Sequence, residues 1–136
     1  MMKLNSKFLW LQKSVYIGNE TDGSKIVIPN GVIDLSDTFR GSKLVMPPFI
    51  PDSVVYCNCT FYSSCFLTQA AELPNGVLDT SNMYHGCKSL VNAGSIPSTV
   101  VNCDEMFSGC SVLEEGAIFD PVPECSRQLM YYCCIS

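Results

Sequence analysis

The sequence predicts an α/β repeat protein: a right-handed solenoid of about 4–5 coils of 22–24 residues, with short parallel strands and short helical or 3-10 turns. The first observation is a set of prolines separated by 22, 23 and 23 residues: Pro29, Pro51, Pro74 and Pro97. The second is that MYHGCKSL (83–90) and MFSGCSVL (106–113) share a Met, an aromatic residue, a Gly-Cys pair and a Leu at the same offsets. Because one such unit cannot bury its own apolar face, consecutive units must stack.

A strand is predicted in each unit between a leucine and the residue before the next proline. The leucines are Leu44, Leu67, Leu90 and Leu113. The apolar residues before proline are Ile50, Leu73 and Ile96. Proline suits the end of a strand because it has no N–H to donate to a neighbouring strand.

A short helical limb is predicted to follow each proline, because apolar residues recur at roughly helical offsets up to Gly41, Gly86 and Gly109. Glycine favours the left-handed conformation in which such a turn stops. The aromatic position is assigned to Phe39, Tyr62, Tyr84, Phe107 and Tyr131. Three residues further on, the sequence predicts a buried, mostly cysteine column: Ser42, Cys65, Cys87, Cys110 and Cys134.

The composition excludes several classes of protein. The net charge of −5 and the lack of a basic cluster argue against nucleic-acid binding. No segment approaches the ~20 apolar residues of a membrane span. The N-terminal apolar run FLWL has four residues, fewer than the about 7–15 of an export signal. We therefore expect a cytoplasmic protein without a membrane partner.

Nine cysteines are expected to be reduced, because their number is odd and no export signal is visible. Reduced thiols behave as small hydrophobic residues. Cys57, Cys59 and Cys103 vary between units and are expected to be partly exposed, and metal binding is considered only there. The recurrence of the other cysteines at the repeat period favours packing over ligation, so no metal or other cofactor is predicted.

No catalytic residues are predicted. His85 is the only histidine, and Arg40, Ser63 and Ser108 occupy its position in other units, which indicates a variable surface position. Any Cys-His or Ser-His mechanism would have to use it. Four aspartates at the start of the helical limb are expected to cap backbone N–H groups: Asp34, Asp37, Asp79 and Asp104.

The two ends are predicted to differ. Residues 1–24 do not fit the repeat and are assigned to an N-terminal cap, leaving 25–136 as the repeat region. The C-terminal end carries the apolar residues Met130, Tyr131, Tyr132 and Ile135 with no polar cap after them. They are interpreted as an interface for a partner or a second copy, with a self-contained cap as the alternative.

The outward face of the predicted strands is the candidate binding surface. Its variable positions are Met46, Phe49, Gln69, Glu72, Asn92, Ser95 and Glu115. Variation within a fixed frame is typical of a recognition surface, but it is equally typical of a solvated face under no selection. The exposed Met and Phe favour a protein partner over a sugar.

One segment, LVNAGSIPSTVVNCDEMFSGCSVL (90–113), resembles the BspA-type leucine-rich repeats of gut anaerobes and their mobile elements. That family reads Leu-x-x-Ala-x-x-Leu-Pro, then Val or Leu, then Met-Phe-x-Gly-Cys-x-x-Leu. The resemblance covers about residues 25–136. It implies an arc-shaped leucine-rich-repeat-like solenoid that binds other macromolecules, often as an adhesin.

From these patterns we expect a non-catalytic protein–protein interaction module. The first form is a small cytoplasmic effector or inhibitor, of the kind carried by a phage or other mobile element, that binds one host protein. The alternative is a structural homo-oligomer built through the C-terminal end, or a component of a virion or surface assembly that acts in adhesion.

Overall fold

The computed structural model describes residues 2–3, 18–114 and 118–120. Its elements in chain order are strand β1 (Met2–Lys3), a 3-10 helix (Gly23–Lys25), and strands β2 (Ile26–Val27), β3 (Ser95–Pro97) and β4 (Ile118–Asp120). Strand β1 pairs in parallel with β2, and β3 pairs in parallel with β4. Of the assigned N-terminal cap, 1–24, most lies outside the described residues.

The predicted α/β leucine-rich-repeat-like solenoid is wrong. Within the described residues the helix content is one three-residue 3-10 helix, and the strands are two or three residues long. They form two separate two-stranded pairs rather than one continuous parallel sheet. Strand β3 forms at the end of the segment predicted between Leu90 and Pro97, but segments 44–50 and 67–73 contain no strand, and the described residues contain no helical limb.

Left-handed residues explain why the helical limb does not form. Four non-glycine residues one period apart have positive φ: Asp37 (60°), Cys59 (57°), Asn82 (55°) and Glu105 (54°). Such a residue cannot continue a right-handed helix. Four residues later the chain is left-handed again, at Gly41 (67°), Ser63 (58°), Gly86 (74°) and Gly109 (77°). The predicted left-handed glycines are thus present, but they end a series of turns and not a helix.

Backbone hydrogen bonds in this segment alternate between two directions. The N–H of Phe39 donates to the carbonyl of Thr60 in the next unit at 2.9 Å, whereas the N–H of Arg40 closes a turn onto Asp37 at 3.4 Å. The same alternation holds along 59–63 and 82–86. An α-helix would instead use every interior N–H within itself.

Residues 22 or 23 positions apart contact one another, so the repeat period of the sequence is present in the structure. We number the units 29–50, 51–73, 74–96 and 97–114, each beginning at a proline whose carbonyl accepts the N–H of a valine three residues on. Isolated parallel bridges join equivalent positions: Asp34 to Tyr56, Tyr56 to Asp79, Asp79 to Asn102, and Gln69 to Asn92. Equivalent residues of neighbouring units therefore lie side by side.

The core consists of columns of equivalent side chains. The aromatic column is Phe39, Phe61, Tyr84 and Phe107, with successive ring centroids 5.6, 5.6 and 5.5 Å apart. Flanking it are buried aliphatic columns: Val32, Val54, Val77 and Val100, then Leu44, Leu67 and Leu90. Burial of these apolar side chains is the main stabilising contribution to the fold.

A second column is made of hydroxyl and thiol groups, each donating to a carbonyl of the preceding unit. Ser64 Oγ donates to Phe39 O at 2.9 Å, and Cys87 Sγ donates to Phe61 O at 3.1 Å. Cys110 repeats the arrangement at 3.1 Å. These bonds satisfy carbonyls that the turn structure leaves inside the protein.

Both column assignments in the second unit were wrong by one residue. The repeat pattern predicts Tyr62 and Cys65 at these positions, but the structure places Phe61 and Ser64 in the two columns and leaves Cys65 partly exposed. The cause is a length difference, because the first unit has one residue fewer between its aromatic residue and its leucine than the later units have. The assigned members Tyr131 and Cys134 lie outside the described residues.

Within the described parts of the chain, no helix is long and apolar enough to cross a membrane. The predicted C-terminal interface, Met130, Tyr131, Tyr132 and Ile135, lies outside them.

Candidate functional site

A groove of about 650 Å³ crosses three consecutive units where the predicted strands would have run. Its floor includes the small or buried residues Pro48, Ala70, Ala71 and Gly94. Its exposed rim is formed by Phe49, Gln69, Glu72, Asn92 and Ser95. We call these nine residues the Phe49 groove.

Small side chains make the groove possible. Gly94 has a φ of 67°, and a Cβ added there would lie 3.4 Å from the Cβ of Ala70. The backbone N–H of Ala70 donates to Asn92 O at 3.0 Å, which joins two units beneath the groove. The sequence pattern alone did not indicate these floor residues. The available signal was the recurrence of small residues beside the exposed positions.

Five of the seven predicted binding residues come together at this rim: Phe49, Gln69, Glu72, Asn92 and Ser95. Met46 lies just outside it, 41% exposed, and its Sδ is 3.4 Å from Gln69 Nε2. Glu115 falls outside the described residues. These five residues therefore share one surface, although among them only Ser95 lies in a strand, β3.

Phe49 is the most exposed large apolar side chain among the described residues, at 73%. A smaller depression of about 280 Å³ adjoins the Phe49 groove, and Phe49 and Glu72 line both. Asp52 lines the smaller one. The described lining residues of the two depressions include two carboxylates and no Lys, Arg or His, so this surface is acidic.

A different column on the surface stacks Arg40, Tyr62 and His85. The guanidinium carbon of Arg40 lies 4.1 Å from the centroid of the Tyr62 ring, and the His85 ring is parallel to that ring at 4.6 Å. Arg40 also pairs with Asp37 at 3.1 Å. His85 is half-buried, less exposed than the sequence suggested, and its buried Nδ1 has no hydrogen-bond partner among the described residues.

Of the four aspartates predicted to cap backbone N–H groups, Asp34 and Asp79 accept such bonds, whereas Asp37 pairs with Arg40. Asp34 Oδ1 accepts the N–H of Ser36 at 2.8 Å, and Asp79 Oδ1 accepts the N–H of Ser81 at 2.9 Å. These carboxylates stabilise the turns that stand in place of the predicted helical limb.

The cysteines differ from one another in burial and bonding. Cys57 was expected to be partly exposed, but it is fully buried, and burial raises the pKa of its thiol to about 12. Burial likewise raises the pKa of Cys87 to about 12. Cys59 is only partly buried, and burial raises its thiol pKa as well.

The expectation that all nine cysteines are free is wrong at Cys103, which is disulfide-bonded. The other described cysteines form no disulfide: Cys57, Cys59, Cys65, Cys87 and Cys110. Among the residues that the structure describes, no group of three or more His, Cys, Asp or Glu side chains could hold a metal ion.

No protein-family model matches this chain, and no curated protein or solved structure matches it either. The resemblance to BspA-type repeats stays a prediction from the motif.

Proposed function

We propose that this chain is a non-catalytic protein-binding module and that the Phe49 groove is its binding surface. The observation that carries the proposal is a phenylalanine 73% exposed at the edge of a groove of about 650 Å³. Concave grooves lined largely by apolar residues, and contiguous exposed apolar surface, are typical of interaction sites. Aromatic side chains that enter a partner's pocket also contribute much of the binding energy in protein interfaces.

The support beneath the groove favours binding without rearrangement. The N–H of Ala71 donates to the buried hydroxyl of Tyr84 at 2.9 Å, so the floor is attached to the aromatic column. A surface fixed in this way loses little conformational entropy when a partner binds.

Affinity capture with matched variants tests the proposal. The tagged chain, Phe49→Asp and Phe66→Asp are each incubated with lysate of the cells that encode the protein, and captured proteins are quantified by mass spectrometry. Phe66 is the matched control because it is 56% exposed and does not line the groove. We expect one stoichiometric partner that Phe66→Asp retains and Phe49→Asp loses. Equal capture by both variants would contradict the assignment of the surface.

The finer role that we propose is that of a small effector or inhibitor acting on one host protein inside the cell, as a phage or mobile element would supply. The disulfide at Cys103 favours the second candidate, a virion or surface component. Disulfides persist in oxidising compartments and are rare in the cytosol. Intact mass of protein taken from its native source under non-reducing conditions distinguishes them, because a cytoplasmic effector is expected to carry Cys103 reduced.

Recovery of the bait alone, as a defined multimer, would favour the structural homo-oligomer over both of these roles. In that case the measured mass of the complex would be a simple multiple of the mass of the chain.

A further inference from the structure

We propose that the Phe49 groove recognises a basic segment of its protein partner, with one Arg or Lys side chain seated on the Phe49 ring between Glu72 and Asp52. This inference rests on the proposed function and adds the chemistry of the partner to it.

The charge of this surface favours a cation. Glu72 lines both depressions and Asp52 lines the smaller one, and Phe49 lines both as well, so two carboxylates share this part of the surface with the Phe49 ring. The ion pair found within the described residues joins Arg40 to Asp37, so neither of these carboxylates is neutralised by one. The chain as a whole carries a net charge of −5. A cationic group is therefore the complementary occupant.

The exposed ring of Phe49 also favours a cation. The face of an aromatic ring attracts cations, and Arg guanidinium groups stack on it most often. Elsewhere on the described surface this chain already pairs an arginine with an aromatic residue, because Arg40 lies 4.1 Å above Tyr62 and also contacts Asp37. The proposed site offers a partner's arginine the same combination, with Phe49 as the ring and Glu72 or Asp52 as the carboxylate.

The size of the groove suits more than one side chain. About 650 Å³ lies within the range of roughly 300–1,000 Å³ of small-molecule sites, so the groove has room for an arginine or lysine side chain and part of the segment that carries it. The groove continues past Phe49 to the exposed side chains of Gln69 and Ser95, which can hydrogen-bond to the backbone of a segment several residues long.

A peptide pair tests the inference directly. The probe is acetyl-Ser-Leu-Arg-Leu-Ser-amide, and its control replaces the arginine with citrulline, which has nearly the same shape and no charge. Binding to the full chain is followed by ¹⁵N NMR. We expect the arginine peptide to shift the amides of Phe49, Glu72 and Ser95 while leaving that of Val101 unchanged. Raising the ionic strength from about 0.05 to about 0.5 M should weaken the binding.

Two double variants of equal net charge separate the site from general attraction. Asp52→Asn with Glu72→Gln, the groove pair, removes the two carboxylates that line the Phe49 groove or the adjoining depression, and Asp104→Asn with Glu114→Gln, the control pair, removes two carboxylates that line neither. We expect about five- to tenfold weaker binding for the groove pair and little change for the control pair. Phe49→Ala should weaken binding by a similar factor.

The inference is overturned if the two double variants bind equally, if shifts spread over the whole surface, or if no shifts occur. It is also overturned if the citrulline peptide binds as well as the arginine peptide, since the groove would then take a peptide without selecting a cation. In each case, loss of a captured partner with Phe49→Asp would still support the binding module. Failure of that capture experiment would remove the proposed function itself.

Discussion

The backbone N–H of Ala71 donates a hydrogen bond to the phenol oxygen of Tyr84 across 2.9 Å, and both residues are buried. The other described members of the aromatic column, Phe39, Phe61 and Phe107, have no hydroxyl group. The single tyrosine of the column therefore supplies the acceptor for the amide that lies in the floor of the Phe49 groove.

Replacing this tyrosine with Phe should destabilise the protein. In Tyr84→Phe the amide of Ala71 keeps its burial and loses its partner, which costs about 1–3 kcal/mol. Urea unfolding followed by circular dichroism measures the free energy of unfolding. The matched control is Tyr62→Phe, which removes a hydroxyl from the half-buried stack on the surface and should cost less than about 0.5 kcal/mol. Equal losses in the two variants would contradict the role given to the bond.

The repeat period could be predicted from the sequence because prolines, leucines and small residues recur at fixed spacing. Which residues of the second unit belong to the aromatic column and to the hydroxyl and thiol column could not be predicted. Phe61 and Tyr62 are adjacent aromatic residues, and Ser64 and Cys65 are adjacent small ones, so either pair fits the pattern. The structure buries Phe61, which has no polar group, and leaves Tyr62 to stack against His85 at the surface.

The regular elements were mispredicted because residues other than glycine adopt the decisive left-handed conformations, and only Asp37 and Asn82 are of a type that favours it. Gly41 and Gly86 are of the residue type that favours a left-handed conformation, but Asp37, Cys59 and Glu105 adopt this conformation as well. Each of these residues breaks the helix that the spacing of apolar residues suggests. The prediction of the candidate site depended less on where strands and helices form. Five of the seven exposed positions lie at the rim of one groove, as their period suggested, while the floor of the groove required the three-dimensional packing.

The left-handed positions give opposite predictions for glycine and serine. Gly86 has a φ of 74°, so Gly86→Ala should destabilise the protein by about 1–2 kcal/mol. Ser63 adopts a φ of 58°, so Ser63→Gly should relieve strain and raise the free energy of unfolding by up to about 1 kcal/mol. Thermal and urea unfolding measure both changes.

The control for this pair is Ser89→Gly, at a position that is not among the left-handed residues. Glycine there should only increase the entropy of the unfolded chain and so destabilise by about 0.4–1 kcal/mol. A stabilised Ser89→Gly, or a destabilised Ser63→Gly, would count against the left-handed conformation as the cause.

Thiol labelling should proceed in an order set by burial. Cys59 and Cys65 are partly exposed and should react first with Ellman's reagent near pH 8, whereas the buried thiols of Cys57 and Cys87 should stay unmodified in the folded protein. The reason is that the thiolate is the reactive form, and burial raises the pKa of both buried thiols to about 12. Peptide mapping after brief labelling gives the order. Early modification of Cys57 would contradict the burial.

Alkaline pH should weaken the fold through the same two thiols. Their pKa rises from 9.0 to about 12 on folding, so the folded state keeps its protons at a pH where the unfolded state has released them. Stability is therefore complete below about pH 9 and falls as the pH rises toward about 12, by up to about 1.4 kcal/mol per pH unit for each thiol. Urea unfolding at pH 7.5 and at about pH 10 measures the difference. In Cys57→Ala with Cys87→Ala the difference should shrink, and an unchanged difference would assign it to other groups.

The length difference in the first unit has a practical consequence. The chain needs five steps from Phe39 to Leu44 but six from Phe61 to Leu67, and yet all four residues are buried in matching columns. The bend at exposed Lys43 is thus one residue shorter than its counterpart in the second unit, and the buried aromatic and leucine columns on either side of it still align. That bend is where a short tag or a fluorescent label can be inserted, and a reporter placed there would leave the Phe49 surface free.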